Sequence, residues 1–140
     1  LSMPPRGSTI GRGMKVNKEE ILGMYAALDK FVNTDQQKLW KMWEDRTALI
    51  RNAAQSVKGV TVTTVVPELG NHTPTLRIGW DPAVVKITVK ELQENLRKGT
   101  PSIEVVASPE TVGITSWMLQ PGEDKIVAAR LKAELAKAAV

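Results

Sequence analysis

The feature that most restricts the fold is a run of seven β-branched residues, VTVTTVV, from Val60 to Val66. Branching at Cβ stiffens a side chain, and such side chains fit the pleated surface of a sheet better than the crowded surface of a helix. Proline cannot donate a ladder hydrogen bond, so Pro67 limits the run at its end. This run therefore predicts a β-strand near the middle of the chain.

A second strand is predicted shortly afterwards, where the sequence TLRIGW alternates over residues 75–80. Alternation places Leu76, Ile78 and Trp80 on one face of a half-buried strand. Arg77 then lies on the opposite face. That arginine is either an exposed residue of the sheet or a group that binds an anion.

The remaining segments predict helices before, between and after the strands. We expect helices over residues 18–32, 34–57, 88–98 and from 121 onward, and further strands over residues 103–107 and 112–119. The order helix, helix, strand, strand, helix, strand, strand, helix predicts the α+β class. Its architecture would be an antiparallel or mixed sheet covered by helices on one side.

The longest predicted helix, over residues 34–57, has a predicted N-terminal cap and two tryptophans. Thr34 and Gln37 have the spacing of a capping box and would open it. Trp40 and Trp43 lie on neighbouring faces, so one of them should be partly exposed. We expect the apolar stripe of this helix to form core rather than to stack on a ligand.

Composition excludes several classes of function. The net charge of +4 is mild, and the basic residues are mostly interleaved with acids, so a nucleic-acid-binding surface is not indicated. With no cysteine in the sequence, a disulfide framework, a thiolate metal site and a cysteine nucleophile are excluded within these 140 residues. His72 is the single histidine, which leaves a zinc site without partners. No apolar run approaches the ~20 residues needed to span a bilayer, and we expect a cytoplasmic protein.

Near the start of the chain, two cations stand just ahead of a helix. Arg12 and Lys15 are three positions apart, and Asn17 with Glu20 has the spacing of a capping box. A flexible Gly-Arg-Gly that leads into a helix N-terminus combines positive side chains with exposed N–H groups. This stretch predicts a cradle for a phosphate or carboxylate, the alternative being a basic surface loop before a capped helix.

Two segments of the sequence carry a family resemblance. IGRGMKVNKEEILGMYAALDKF, residues 10–31, and ITSWMLQPGEDKIVAARLKAEL, residues 114–135, resemble the selenium transferase-like group of pyridoxal-phosphate (PLP) enzymes. This group includes L-seryl-tRNA(Sec) selenium transferase and D-glucosaminate-6-phosphate ammonia-lyase. The resemblance implies the small C-terminal domain of a fold-type I PLP enzyme, preceded by a long connecting helix.

The same resemblance implies how the chain is organised. Residues 1–33 would end the large domain, and residues 34–140 would form the small domain together with the connecting helix. In such enzymes the lysine that forms the Schiff base with PLP lies upstream of the Gly-Arg segment, and none of the twelve lysines here matches it. We therefore expect a C-terminal part of a longer polypeptide that is not catalytic alone. Its partners would be the upstream large domain and other copies in a homo-oligomer.

Site residues carried over from the family are cationic. Arg12 and Lys15 match the basic pair that faces the active site in selenium transferase, although the second member there is commonly arginine. Replacing arginine by lysine removes a bidentate fork and leaves a point charge. Lys18 is a weaker third candidate. Arg77 is a separate candidate for binding a substrate carboxylate.

The sequence is compatible with three functions. The first is a PLP-dependent lyase or transferase acting on a small amino compound, specifically ammonia elimination from an amino-sugar-acid phosphate. The second is a selenium transferase that uses seryl-tRNA, although the basic surface that tRNA binding needs is not visible. The third is a non-enzymatic interaction domain that pairs through its tryptophan-bearing helix.

Overall fold

The computed structural model describes residues 16–140 and contains four helices and four strands there. The chain divides into two compact units, with the boundary between Gln36 and Gln37. In chain order the elements are α1 (Lys18–Asn33), α2 (Gln36–Gln55), β1 (Val60–Val65), β2 (Thr75–Trp80), α3 (Val89–Lys98), β3 (Val106–Ala107), β4 (Val112–Thr115) and α4 (Glu123–Lys137).

Helix α1 has the predicted capping box at its start. The Asn17 side chain accepts a hydrogen bond from the Glu20 backbone N–H at 3.0 Å, and the Glu20 carboxylate accepts from the Asn17 N–H at the same distance. These bonds satisfy two N–H groups that a helix start leaves without intrahelical partners. None of the residues in α1 is buried.

The four strands form one antiparallel sheet in the order β1-β2-β4-β3. Thr63 of β1 lies opposite Arg77 of β2, and Arg77 lies opposite Gly113 of β4. This arrangement confirms the predicted α+β class, and the sheet is antiparallel throughout.

The core lies on one face of this sheet, and among residues 16–140 all of its buried residues fall within Gln37–Val140. Its buried side chains come from β2 and β4, from the helices α2, α3 and α4, and from the segments that join them: Ile50, Ala54, Val57, Leu76, Ile78, Val85, Leu92, Leu96, Ile103, Val105, Val112, Ile114, Val127, Ala128, Leu131 and Leu135. The predicted alternation of β2 is confirmed, because Leu76 and Ile78 are buried while Arg77 is exposed.

The third and fourth strands are shorter than predicted. The segment before β3 is held by α3 instead of by the sheet: the Ile103 N–H donates to Leu96 O at 3.0 Å, and Gln93 Nε2 donates to Val105 O at 3.0 Å. Strand β4 ends at Thr115 because the next residue turns toward α2, where the Ser116 hydroxyl donates to Trp43 O at 3.1 Å.

The predicted start of the second long helix was also wrong. Helix α2 begins at Gln36, so its N-cap position falls on Asp35 and not on Thr34. Thr34 is instead the C-cap of α1, and its hydroxyl donates to Lys30 O at 2.6 Å. A threonine hydroxyl can satisfy a helix end in either direction, and spacing alone did not distinguish the two.

Helix α3 follows the prediction closely. Thr88 is its N-cap, and Glu91 completes a capping box with it.

Within residues 16–140, no helix has the length and apolar character needed to cross a bilayer.

Candidate functional site

The candidate site is the face of the sheet that points away from the core. Alternation along the strands places Thr61, Thr63, Thr115 and Arg77 on this outer face. All four are exposed. These four side chains are polar and none carries a negative charge, so this part of the face suits an anion.

The Arg77 guanidinium has no hydrogen bond or ion pair within residues 16–140. Its neighbour across β4 is Gly113, and the residue two further along β2 on the same face is Gly79. Neither glycine contributes a side chain that could cover the guanidinium. A Cβ at either position would meet its nearest neighbours at ordinary contact distances of 3.4 and 3.5 Å, so packing does not require glycine there. Glycine within a strand is typical of a place where a ligand or another backbone approaches closely.

The chemistry available on this face is anion binding. A guanidinium presents N–H donors in a planar fork that matches a carboxylate or phosphate bidentately. Thr63 lies opposite Arg77 on β1 and could add a hydroxyl donor, while the Thr61 hydroxyl already donates to Gly79 O at 3.3 Å. The face therefore offers positive charge and hydroxyl groups.

The other predicted cations are less informative. Arg12 and Lys15 lie outside the described residues, so their predicted role stays a prediction. Lys18 is the first residue of α1 and is exposed.

His72 lies in the loop between β1 and β2, where its ring contacts other protein groups. Its Nδ1 is 3.0 Å from Pro67 O, and its ring centroid is 5.8 Å from that of Trp40. Within residues 16–140, no group of three histidine, cysteine, aspartate or glutamate side chains could hold a metal ion.

The sequence did not predict a polar network beneath the sheet. Arg46 is buried and donates to Leu119 O at 2.6 Å, while the Thr47 and Ser116 hydroxyls are 2.9 Å apart. These bonds attach α2 to the segment after β4. Each of these hydrogen bonds joins two protein groups. A threonine and an arginine inside an otherwise apolar stripe were the signal that could have predicted it.

The clearest ion pair on the surface lies away from Arg77. Arg97 donates to Glu104 through Nε at 2.7 Å and Nη2 at 2.9 Å. This bidentate contact raises the pKa of Arg97 and lowers the pKa of Glu104. Arg97 is therefore a useful contrast to Arg77: an arginine of the same unit that already has an anionic partner.

An apolar groove of about 340 Å³ opens between the segment before β3 and the start of α4. Its lining includes Ile103, Val105, Ile114, Leu119 and Ile126. The carboxylate of Glu104 at its rim is bonded to Arg97, so the groove presents no free charged group from that side. Most of its lining is apolar, and Ser102, Thr115 and Glu123 are the other polar residues along it.

The fold described above is shared with part of a solved structure, that of D-glucosaminate-6-phosphate ammonia-lyase. The match has a TM-score of 0.63 at 18% sequence identity and covers 91% of this chain. It covers 34% of the ammonia-lyase chain, so this chain spans about a third of that chain's length. No protein-family model and no curated protein sequence matches the chain. At this identity the likeness shows a common α+β fold.

Proposed function

We propose that this chain is the C-terminal part of a PLP-dependent lyase that acts on a small amino compound and is not catalytic alone. The specific reaction proposed is elimination of ammonia from an amino-sugar-acid phosphate. The observation that carries the proposal is the fold match, in which 91% of this chain corresponds to a segment making up 34% of an ammonia-lyase chain. The family resemblance of residues 10–31 and 114–135 points to the same group of enzymes.

The surface of α1 supports the proposal that more polypeptide belongs with this chain. Seven large apolar side chains of this helix are between 57% and 70% exposed: Ile21, Leu22, Met24, Tyr25, Leu28, Phe31 and Val32. The remaining positions near its middle are small, namely Gly23, Ala26 and Ala27. A helix that is apolar on nearly every side is typical of the interior of a larger body. In the proposal, α1 is the end of the large domain, and the rest of that domain covers it.

In this proposal the residues of the chain supply positive charge. Bound PLP would supply an electron sink for the carbon next to the substrate amine. Arg77 would bind the substrate carboxylate from the open face of the sheet, with Thr63 as a neighbouring donor. Arg12 and Lys15 would bind the phosphate of the cofactor or of the substrate.

The test uses the polypeptide encoded by the complete gene, assayed for PLP absorbance and for ammonia release from D-glucosaminate 6-phosphate. A hydrogen bond to a charged group contributes about 1.5–3 kcal/mol, so Arg77→Met should raise KM roughly 10- to 100-fold. Arg97→Met is the matched control, since Arg97 is paired with Glu104, and it should leave KM unchanged. A protein that binds no PLP, or equal effects of both variants, would contradict the proposal. Salt-dependent retention of seryl-tRNA on a filter would instead favour the selenium transferase.

A further inference from the structure

Strand β1 forms an edge of the sheet, and the direction of its free backbone groups follows from one hydrogen bond. The Asp81 N–H donates to Gly59 O at 2.9 Å, one step beyond the Val60–Trp80 pair of the register. Because the hydrogen-bonded positions of an antiparallel ladder alternate, Thr61, Thr63 and Val65 face β2. The N–H and C=O groups of Val60, Val62 and Thr64 therefore point away from the sheet.

This edge lacks the features that usually prevent strands from pairing. No charged side chain, proline or glycine occurs between Val60 and Val65. The Val60 N–H is used locally, since it donates to Val57 O at 3.2 Å. Within residues 16–140, no backbone group from a turn or loop bonds to the outward N–H and C=O groups of Val62 and Thr64. Six uncharged residues thus present an unprotected edge.

Opposite charges flank the edge at its two ends. Lys58 precedes β1 and Glu68 follows it, and both are exposed. Neither has an ion-pair partner in the part of the chain that the structure describes. A strand with a free cation at one end and a free anion at the other is complementary in charge to an identical strand running antiparallel. Parallel pairing in register would instead place lysine beside lysine.

We propose that β1 pairs antiparallel with β1 of a second copy of this chain, about a two-fold axis at Thr63. In this register Val62 of each copy lies opposite Thr64 of the other. Each of these two pairs exchanges two N–H···O=C hydrogen bonds, giving four in total. The same register places Lys58 of each copy opposite Glu68 of the other, and two four-stranded sheets become one. The contact is isologous, as most homodimer contacts are.

A single engineered cysteine tests the register, because the chain contains no cysteine of its own. Thr63 would face Thr63 of the second copy in a non-hydrogen-bonded pair, with Cα atoms about 4.5 Å apart, within reach of a disulfide. Mild oxidation of Thr63→Cys should therefore yield a covalent dimer. Thr61→Cys is the matched control on the same exposed face. Its equivalents would be four residues apart along the strand, about 13 Å, and should not be joined.

A charge exchange tests the pairing without cysteine. Lys58→Glu would place two carboxylates together at each end, so the mass in sedimentation equilibrium should fall from that of a dimer to that of a monomer. Lys58→Glu combined with Glu68→Lys should restore the dimer. Cross-linking that is equal at positions 61 and 63, a monomer at every concentration, or a dimer indifferent to Lys58→Glu would overturn the proposal. Association through the apolar surface of α1 would produce one of these contrary results.

Discussion

At the scale of single residues, Gly59 shows how a turn residue determines the start of the sheet. It has φ of +83°, the left-handed region that favours glycine. A Cβ there would lie 2.8 Å from Cβ and Cγ1 of Val84, closer than real side chains approach. Its carbonyl also accepts the bond from Asp81 that fixes the β1–β2 register. Backbone conformation, packing and hydrogen bonding therefore all depend on this residue.

Replacing this glycine should be costly. Gly59→Ala should lower the free energy of unfolding by about 1–2 kcal/mol from backbone strain, and by roughly a further 1–3 kcal/mol from overpacking against Val84. Gly70→Ala is the control, because Gly70 has φ of +85° but nothing within 4 Å of its Cβ position. Urea unfolding of both variants measures the difference. Equal losses would show that the Val84 contact does not matter.

At the scale of elements, α3 shows a helix that is specified locally at its start. The Glu91 carboxylate accepts from the Thr88 backbone N–H at 2.8 Å and from the Thr88 hydroxyl at 2.7 Å. These two bonds, the backbone bond first, lower the pKa of Glu91. The opposite face of the helix buries Leu92 and Leu96, so local capping and tertiary packing agree on the same ten residues.

The lowered pKa of Glu91 makes its contribution depend on pH. A carboxyl whose pKa is lower in the folded state stabilises that state above its unfolded pKa, and the stabilisation is lost as pH falls through the folded pKa. Glu91→Gln should therefore be less stable than the parent chain at about pH 7 and approach it at about pH 3. Urea midpoints at several pH values measure this gap. A gap that does not shrink in acid would contradict the capping role.

At the scale of the whole molecule, the two units differ in how they are stabilised. In the described part of the chain, the buried core residues all belong to Gln37–Val140, while no residue of α1 is buried. The last residues of the chain are also hydrogen-bonded to the sheet unit. There the Lys86 N–H donates to Ala138 O at 2.7 Å, and the Val140 N–H donates to Val84 O at 3.0 Å. The sheet unit thus contains the interactions that a cooperative fold requires.

A shortened chain tests this independence. A chain that begins at Thr34 retains Asp35 at the N-cap position of α2 together with the whole core. Its free energy of unfolding should differ from that of the 140-residue chain by less than about 0.5 kcal/mol. Tryptophan fluorescence in urea is the measurement, since Trp40, Trp43, Trp80 and Trp117 all remain. A loss of several kcal/mol would mean that residues before Thr34 contribute to the stability of the core.

The sequence by itself determined the α+β class, the alternation of β2 and the capping boxes of α1 and α3. Each of these follows from interactions within a few residues: side-chain branching, the two-residue repeat of a strand, and a side chain that reaches an N–H three positions away. For the same reason, the alternation of β2 was enough to assign Arg77 to the outer face of the sheet.

Only the tertiary structure showed which groups lie close together in space. It showed that Gly113 leaves Arg77 uncovered, that α3 draws the segment before β3 away from the sheet, and that Arg46, Thr47 and Ser116 form a buried network. Those contacts join residues far apart in the sequence, and local spacing carries no information about such pairs. The free edge of β1 likewise became visible only from the strand order, because an edge is a property of the assembled sheet and not of the strand.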